Sequence, residues 1–326
     1  MLTLDRVSKV YRVGTFGGAK LTAVKDVSFD LESGQVVSLI GESGSGKTTI
    51  GRMILRLLDV TSGTISLDGT DIKSIAGRDQ KAYYRKVQGV FQDPFSSINP
   101  MYKVDHVFDV MRGSFFSGIS GTEWDAKVSA SLESVTLNPS QVLHKYPHQL
   151  SGGQLQRILI ARSLLLEISF LVADEIISML DASTRIDVLN LLGELKARGL
   201  GILFITHDLS LGNYISERTV ILRRGSIVEM GATQKVFGNP LHPYTRALVA
   251  SVPQLHRKWA DVERELAARD PRLTAKCIYH GMYPGVAKDG ASDGAPPLAE
   301  AEDDHFVACF QLDEGLPCPE AIAQAA

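Results

Sequence analysis

Residues 36–49 read VVSLIGESGSGKTT: an apolar, strand-like run, a loop with glycines at 41, 44 and 46, and the start of TTIGRMILRLL, a helical pattern. Few folds accommodate that order. The loop fits G-x-x-x-x-G-K-[ST] through Gly41, Gly46, Lys47 and Thr48, and the strand before it and the helix after it are the context the pattern requires. Glycines let the backbone wrap so that successive N–H groups and the positive end of the helix face an anion. Gly41, Ser43, Gly44, Gly46, Lys47, Thr48 and Thr49 are therefore expected to contact the phosphates of a nucleotide. Lys47 would hold the β- and γ-phosphates, and Thr48 would ligate Mg²⁺.

A phosphate loop alone leaves kinases, GTPases and ATPases open. The Asn-Lys-x-Asp pattern by which GTPases usually read their base is absent, and FLVADE at residues 170–175 supplies a second element. Four apolar residues followed by adjacent carboxylates predict a buried strand with Asp174 and Glu175 at its C-terminal end. Asp174 would reach Mg²⁺ directly or through water, and Glu175 would orient a water for in-line attack on the γ-phosphate.

From residue 1 to about 250, short β-like runs (VVSLI, TISLD, FLVAD, ILFIT, TVILRRG) alternate with helical patterns, which predicts an α/β fold around a largely parallel sheet. STRIDVLNLLGELKARG, from Ser183, places Ile186, Leu189 and Leu192 on one helical face and Gly199 at its stop. That helix feeds ILFIT, which puts His207 at the ligand-binding edge of the sheet beside Gly41 and Asp174. After about residue 255 the pattern decays, and GVAKDGASDGAPPLAEAEDD reads as a loop or flexible linker. At roughly 150 residues per domain, the length suggests about two domains. A net charge of −3 gives no basic field of the kind that draws nucleic acid. No secretory signal or membrane span is expected: the greasiest stretch is broken by Arg162, Glu167, Asp174 and Glu175. Cys277, Cys309 and Cys318 make no disulfide framework and fit a reducing cytoplasm.

LSGGQLQR, residues 150–157, carries two glycines where a helix start needs one cap. Ser151 is a good N-cap, and Gly152 and Gly153 keep side chains away from a helix terminus suited to an anion. With the phosphate loop and the paired acids, this stretch resembles the signature of the nucleotide-binding subunits of ATP-binding cassette (ABC) transporters. The resemblance implies a P-loop NTPase core with a helical signature subdomain and a small C-terminal extension. It also implies that Ser151, Gly152, Gly153 and Gln154 cap the γ-phosphate of ATP bound to an opposite subunit. Matched residue by residue, Tyr11 is similar to the aromatic that stacks on adenine, and Gln92 in GVFQDPFSSINP to the glutamine that contacts Mg²⁺ and the attacking water. Asp181 in SMLD matches the loop bridging two subunits, and His207 the histidine on the γ-phosphate. Ile176 departs from the pattern, which commonly has Pro after the catalytic Glu. With Asp174, Glu175 and Asp181 all present, a site competent in hydrolysis is still implied.

VFQDPFSSINP and, above all, NPLHPYTRAL at residues 239–248 look like the peptide and nickel import group of that family. The resemblance covers residues 1–255 strongly, as a nucleotide-binding domain with its helical subdomain at about 93–165, and residues 256–326 weakly, as a partly flexible C-terminal extension. Some members hold an iron–sulfur cluster there with four cysteines. Here only Cys277 and Cys309 match, with Tyr283 where another would fall and Cys318 beyond the pattern, which argues against a cluster. The implied assembly is peripheral on the cytoplasmic face of the inner membrane: two permease subunits, a second ATPase subunit identical or homologous to this one, and an extracytoplasmic solute-binding protein. The implied cargo is peptide, then oligosaccharide; nickel is a further use of the group. The other class of reading is a soluble ABC ATPase of DNA repair or translation. Such proteins usually carry a coiled-coil insertion, zinc cysteines or tandem cassettes, which this chain lacks.

Overall fold

The computed structural model describes residues 1–12, 18–252 and 298–308. The chain opens with β1 (Leu2–Arg12) and β2 (Lys20–Leu31), paired antiparallel. β3 (Val36–Ile40) then runs into the glycine loop, and α1 (Lys47–Ile54) leaves it. β4 (Ser62–Leu67) and the short β5 (Thr70–Asp71) return to β1 and complete a four-stranded antiparallel sheet. TISLD thus lies outside the parallel sheet the sequence suggested. It buries only Ile65 and Leu67, on one face, as an antiparallel strand does, whereas all five positions of β3 are buried.

After α2 (Gln80–Tyr84) and β6 (Val87–Val90), five helices follow before the chain returns to the sheet. They are α3 (Pro94–Ser97), α4 (Asp105–Phe115), α5 (Gly121–Ser134), α6 (Pro139–Val142) and α7 (Gly152–Leu164). β7 (Phe170–Asp174), α8 (Ala182–Ala197), β8 (Gly201–Thr206), α9 (Leu209–Ile215) and β9 (Arg218–Arg223) complete the parallel part. β10 (Ser226–Ala232) turns back antiparallel, and α10 (Thr233–Gly238) and α11 (Pro243–Ser251) follow it. The hairpin β11 (Leu298–Glu302) and β12 (His305–Ala308) then extends the same sheet.

The large sheet runs β11-β12-β10-β9-β3-β8-β7-β6, with β6, β7, β8, β3 and β9 parallel. Alternation splits its side chains between two cores. Val37, Leu39, Val172, Leu203 and Ile205 face α1 and the antiparallel sheet, while Val36, Leu171, Ala173, Ile202 and Phe204 face α7 and α8. At about 1.5–3 kcal/mol per fully buried Leu, Ile, Val or Phe, these strands anchor whatever stands at their ends.

Two expectations need correction. On α8, Leu189 and Leu192 are buried but Ile186 is 43% exposed. The buried stripe centres on Val188, Leu192 and Leu195, and at about 100° per residue Ile186 points well away from it. Gly199 does end the helix: its N–H donates to Lys196 O at 2.8 Å and Leu200 N–H to Leu195 O at 3.2 Å, a Schellman closure. In the tail, LAEAE, which the sequence placed in a linker, is β11. Ala and Glu have little strand preference, but β10 offers an open edge to β12, and β12 in turn pairs with β11. Cys277, Cys309, Cys318 and Tyr283 lie outside the described residues. No helix among the described residues is long and apolar enough to cross a membrane.

Candidate functional site

Parallel pairing delivers the C-terminal ends of β3, β6, β7 and β8 to one edge of the sheet. Ile40 is level with Thr206, Asp174 with Ile205, and Val90 with Ala173. The glycine loop, Gln92, the Asp174–Glu175 pair and His207 therefore emerge side by side from distant parts of the sequence.

Gly46 is the N-cap of α1, with φ 105° and no side-chain cap, so the first N–H groups of the helix are left to a ligand. A Cβ there would strike Ala23 O at 2.5 Å as well as demanding a left-handed backbone, so only glycine fits. Ser43 and Gly44 are exposed at the loop crown, and Thr48 and Thr49 are half-buried. Lys47 folds back under the loop: Nζ donates to Gly41 O at 2.7 Å and Glu42 O at 2.8 Å. Burial pulls its ammonium below the usual lysine range, and the charges of Glu175, Asp174 and Glu42 oppose that shift. The Thr48 hydroxyl donates to Asp174 Oδ1 at 3.2 Å. Burial raises the Asp174 carboxyl, and the Thr48 hydrogen bond opposes the rise.

Glu175 follows in a left-handed conformation, φ 51°, with its N–H on Ile205 O at 2.9 Å. A non-glycine residue pays about 1 kcal/mol or more for that geometry, and such strain collects at functional sites. The turn aims the Glu175 carboxylate at His207, with Oε1 3.2 Å from Nδ1. Ser178 closes the turn, its N–H and hydroxyl donating to Glu175 O at 3.1 and 2.9 Å. Ile176, the departure from the commoner Pro, is buried in the core beneath it.

The signature stretch lies elsewhere. Ser151 caps α7, its Oγ accepting Gln154 N–H at 3.2 Å while Gln154 Oε1 accepts Ser151 N–H at 3.0 Å. Among the described residues no hydrogen bond or ion pair joins residues 150–154 to the phosphate loop. Their neighbour is the start of α8: a Cβ on Gly153 would collide with the Thr184 methyl, whereas Gly152 has room, with Leu180 at 3.7 Å. The second glycine is thus required by packing within this chain. Asp181 caps α8, accepting Ser183 Oγ at 2.6 Å, Thr184 N–H at 3.0 Å and Thr184 Oγ1 at 2.7 Å, which holds its carboxyl far below the usual range.

Tyr11 stands half-buried near the end of β1, opposite Leu21 and with Lys9 Nζ 5.3 Å from its ring centroid. Gln92 is exposed between β6 and α3. The preceding Phe91 O accepts from Gln156 Nε2 on the signature helix at 3.4 Å. Sequence reading did not single out Arg185, whose Nε and Nη2 donate to Leu180 O at 2.8 Å and Ser178 O at 3.2 Å. It braces the loop between Glu175 and Asp181, and a lone Arg on an amphipathic helix carries no local signal of that.

Known proteins are similar to this chain in sequence and fold. The ABC transporter family model matches residues 24–178, and the model for the C-terminal region of oligopeptide/dipeptide transporters matches residues 228–281. A putative peptide import ATP-binding protein of Brucella ovis is 39% identical over 318 residues, which cover 95% of this chain and 98% of that protein. The oligopeptide transport ATP-binding protein OppF of Streptococcus pyogenes is 45% identical over 304 residues, 91% of this chain and 92% of its own. Among solved structures, the dimeric ATP-binding cassette MJ0796, in a post-hydrolysis state with ADP and Pi, aligns with TM-score 0.64 and 28% identity over 72% of this chain and 99% of its own.

Proposed function

The chain belongs to the ABC transporter family and is an ATP-binding ATPase of it, and from that premise we propose that it powers a peptide importer. Oligosaccharide is the next candidate cargo. One observation carries the catalytic reading: the Glu175 carboxylate, held 3.2 Å from His207, shares a sheet edge with Lys47 and the Thr48–Asp174 pair. Relatives with peptide-transport names over most of the chain support transport rather than a soluble role in DNA repair or translation.

Tyr11 offers its ring to the adenine, and the loop N–H groups from Ser43 to Thr49 receive the phosphates. Lys47 exchanges the carbonyls of Gly41 and Glu42 for β- and γ-phosphate oxygens. The Thr48 hydroxyl and Asp174 carboxylate, 3.2 Å apart, are hard oxygen donors suited to Mg²⁺, and with Gln92 they would hold it. Mg²⁺ at this site would share its shell with phosphate oxygens and water. Bound there, Mg²⁺ supplies neutralisation of phosphate charge.

Glu175 orients a water in line with the γ-phosphorus. As the water oxygen bonds to phosphorus, the bond to the β–γ bridging oxygen breaks. ADP leaves with that electron pair, and the water's proton passes to the Glu175 carboxylate. His207 steadies Glu175 and faces the γ-phosphate. Ser151 to Gln154 of a second ATPase subunit, the same chain or a homologue, close over the nucleotide, and Asp181 sits at the seam. One permease subunit docks on the groove that follows Gln92, lined by Ser97, Tyr102, His106 and Val110 beside Met101, which is 80% exposed, and the other docks on the second ATPase subunit. A solute-binding protein feeds them from outside, and this chain is peripheral on the cytoplasmic face.

The test is Glu175→Gln in the complex assembled with its permeases. Turnover is expected to fall at least ~100-fold while ATP affinity holds, since general-base losses are typically of that size. A variant that hydrolyses at the wild-type rate overturns the assignment of Glu175, and a cargo other than peptide stimulating the wild-type complex overturns the assignment of peptide.

A further inference from the structure

Outside the catalytic edge, a buried polar chain runs from the C-terminal hairpin to the phosphate loop. It begins at His305 on β12, fully buried, whose Nδ1 lies 2.9 Å from Glu302 Oε1 and Nε2 2.8 Å from Glu229 Oε1. Glu229, on β10 and also fully buried, has both oxygens engaged: Leu241 N–H donates to Oε1 at 2.8 Å and His242 N–H to Oε2 at 2.9 Å. Those two amides lead into α11. His242 is its N-cap, with Nδ1 accepting Tyr244 N–H at 3.1 Å. Burial, with Arg223 and Arg246 nearby, pushes the His242 imidazole down to about 3, so it stays neutral and able to accept.

Tyr244 closes the chain. Its ring packs in the cluster of Ile40, Ile221, Val228 and Val236, with the Arg223 guanidinium 5.2 Å from its centroid. Its hydroxyl accepts Glu42 N–H at 3.1 Å. The Gly41–Glu42 peptide is therefore gripped on both sides, its N–H by Tyr244 and its C=O by Lys47 Nζ at 2.7 Å. Its remaining freedom is small, because a Cβ on Gly41 would run into Leu222 O of β9.

We propose that Tyr244 is a positioning residue for the phosphate loop, and that the C-terminal hairpin reaches the loop through it by way of His305, Glu229 and the first turn of α11. The base of the loop is set before nucleotide arrives, so binding requires only that Lys47 move. Without the phenol the peptide gains freedom that ATP must remove, which costs affinity rather than chemistry.

The proposal rests on nucleotide binding at this loop, so its test includes Lys47→Ala as a control in the full chain, with ATP affinity measured by calorimetry. Tyr244→Phe keeps the ring and removes only the hydroxyl. Its ATP dissociation constant and KM are expected to rise about three- to ten-fold, the worth of one hydrogen bond, with kcat within about twofold and thermal stability near wild type. His305→Gln is expected to raise KM in the same direction, and the double variant to be no worse than the larger single, because both act on one chain. If Lys47→Ala binds ATP as wild type does, the loop reading itself fails. If Lys47→Ala loses binding while Tyr244→Phe leaves affinity and KM unchanged or tightens them, the positioning role is overturned. Additive effects of Tyr244→Phe and His305→Gln overturn the link to the hairpin, and Glu302→Gln repeats that arm if His305→Gln does not fold.

Discussion

A Cβ on Gly153 would overlap the Thr184 methyl, yet the Thr184 hydroxyl, 2.7 Å from Asp181 Oδ2, is needed where it is. Of the doubled glycine of the signature, only the second has a cause within this chain: Gly153 lets the starts of α7 and α8 meet, whereas a Cβ on Gly152 would make ordinary contact with Leu180 at 3.7 Å. This predicts that Gly153→Ala destabilises the chain by about 1–3 kcal/mol, the usual cost of overpacking, partly offset by the better helix propensity of Ala. Thr184→Ser removes the methyl and keeps the hydroxyl, so adding it should restore most of the loss. Urea denaturation of the two single variants and the double variant measures the coupling, and additive losses would show that the contact is not the cause. The same scale explains what reading residues in isolation misses. Asp181 is expected at a subunit seam, but within this chain it caps α8, and Arg185 holds the carbonyls of Ser178 and Leu180 that lead to it.

Among elements, the terminal hairpin has the clearest pH signature. His305 faces Glu229 of β10 and Glu302 of β11. Around it, Asp303 pairs with Lys235 of α10 at 3.7 Å and Asp304 with Arg218 of β9 at 3.5 Å. Burial alone would depress the imidazole, but the hydrogen bonds and charges of Glu229 and Glu302 hold it above its usual value. A raised folded-state value means the stabilisation is fully present below the unfolded histidine range, about 6.5, and is lost as pH rises through the raised value. Wild-type thermal stability relative to His305→Gln should therefore fall on going from about pH 6 into the alkaline range, with exchange of the β12 amides quickening in step. A difference that stays flat or grows with pH would refute the ionised bridge. Little of this element was legible beforehand. The strands at 36–40, 170–174 and 201–206 announce themselves by mostly apolar runs, and Gly46, Lys47, Asp174 and Glu175 by their place at or beyond the ends of those runs. LAEAE has no such mark: it pairs with the neighbouring β12, and only β12 reaches the sheet edge at Ser226–Ala232, some seventy residues earlier. Tyr244 was visible only as part of NPLHPYTRAL, because its partner Glu42 is 202 positions distant.

For the whole molecule, the separation of the two elements proposed to face phosphate is the telling feature. The loop, Asp174, Glu175 and His207 share one sheet edge, while Ser151 to Gln154 pack on the start of α8 and, among the described residues, make no hydrogen bond or ion pair with them. A single chain arranged this way presents one nucleotide-binding edge and one uncommitted signature helix, and two copies or homologues can satisfy both. The γ-phosphate would then be the group that joins them, so ATP should favour the pair and ADP should not. To move a population from 1:99 to 99:1, ATP must favour the closed pair by about 5.5 kcal/mol, a large demand that hydrolysis would continuously remove. Glu175→Gln should prevent that removal. Light scattering of this variant is expected to show the mass of a two-ATPase assembly with ATP and Mg²⁺, and the mass of one chain with ADP. Ser151→Arg, which places bulk and charge at the signature face, should abolish the ATP-dependent shift while leaving ATP binding to the loop intact. A shift that survives Ser151→Arg, or that ADP supports equally, would mean the two copies meet through another surface.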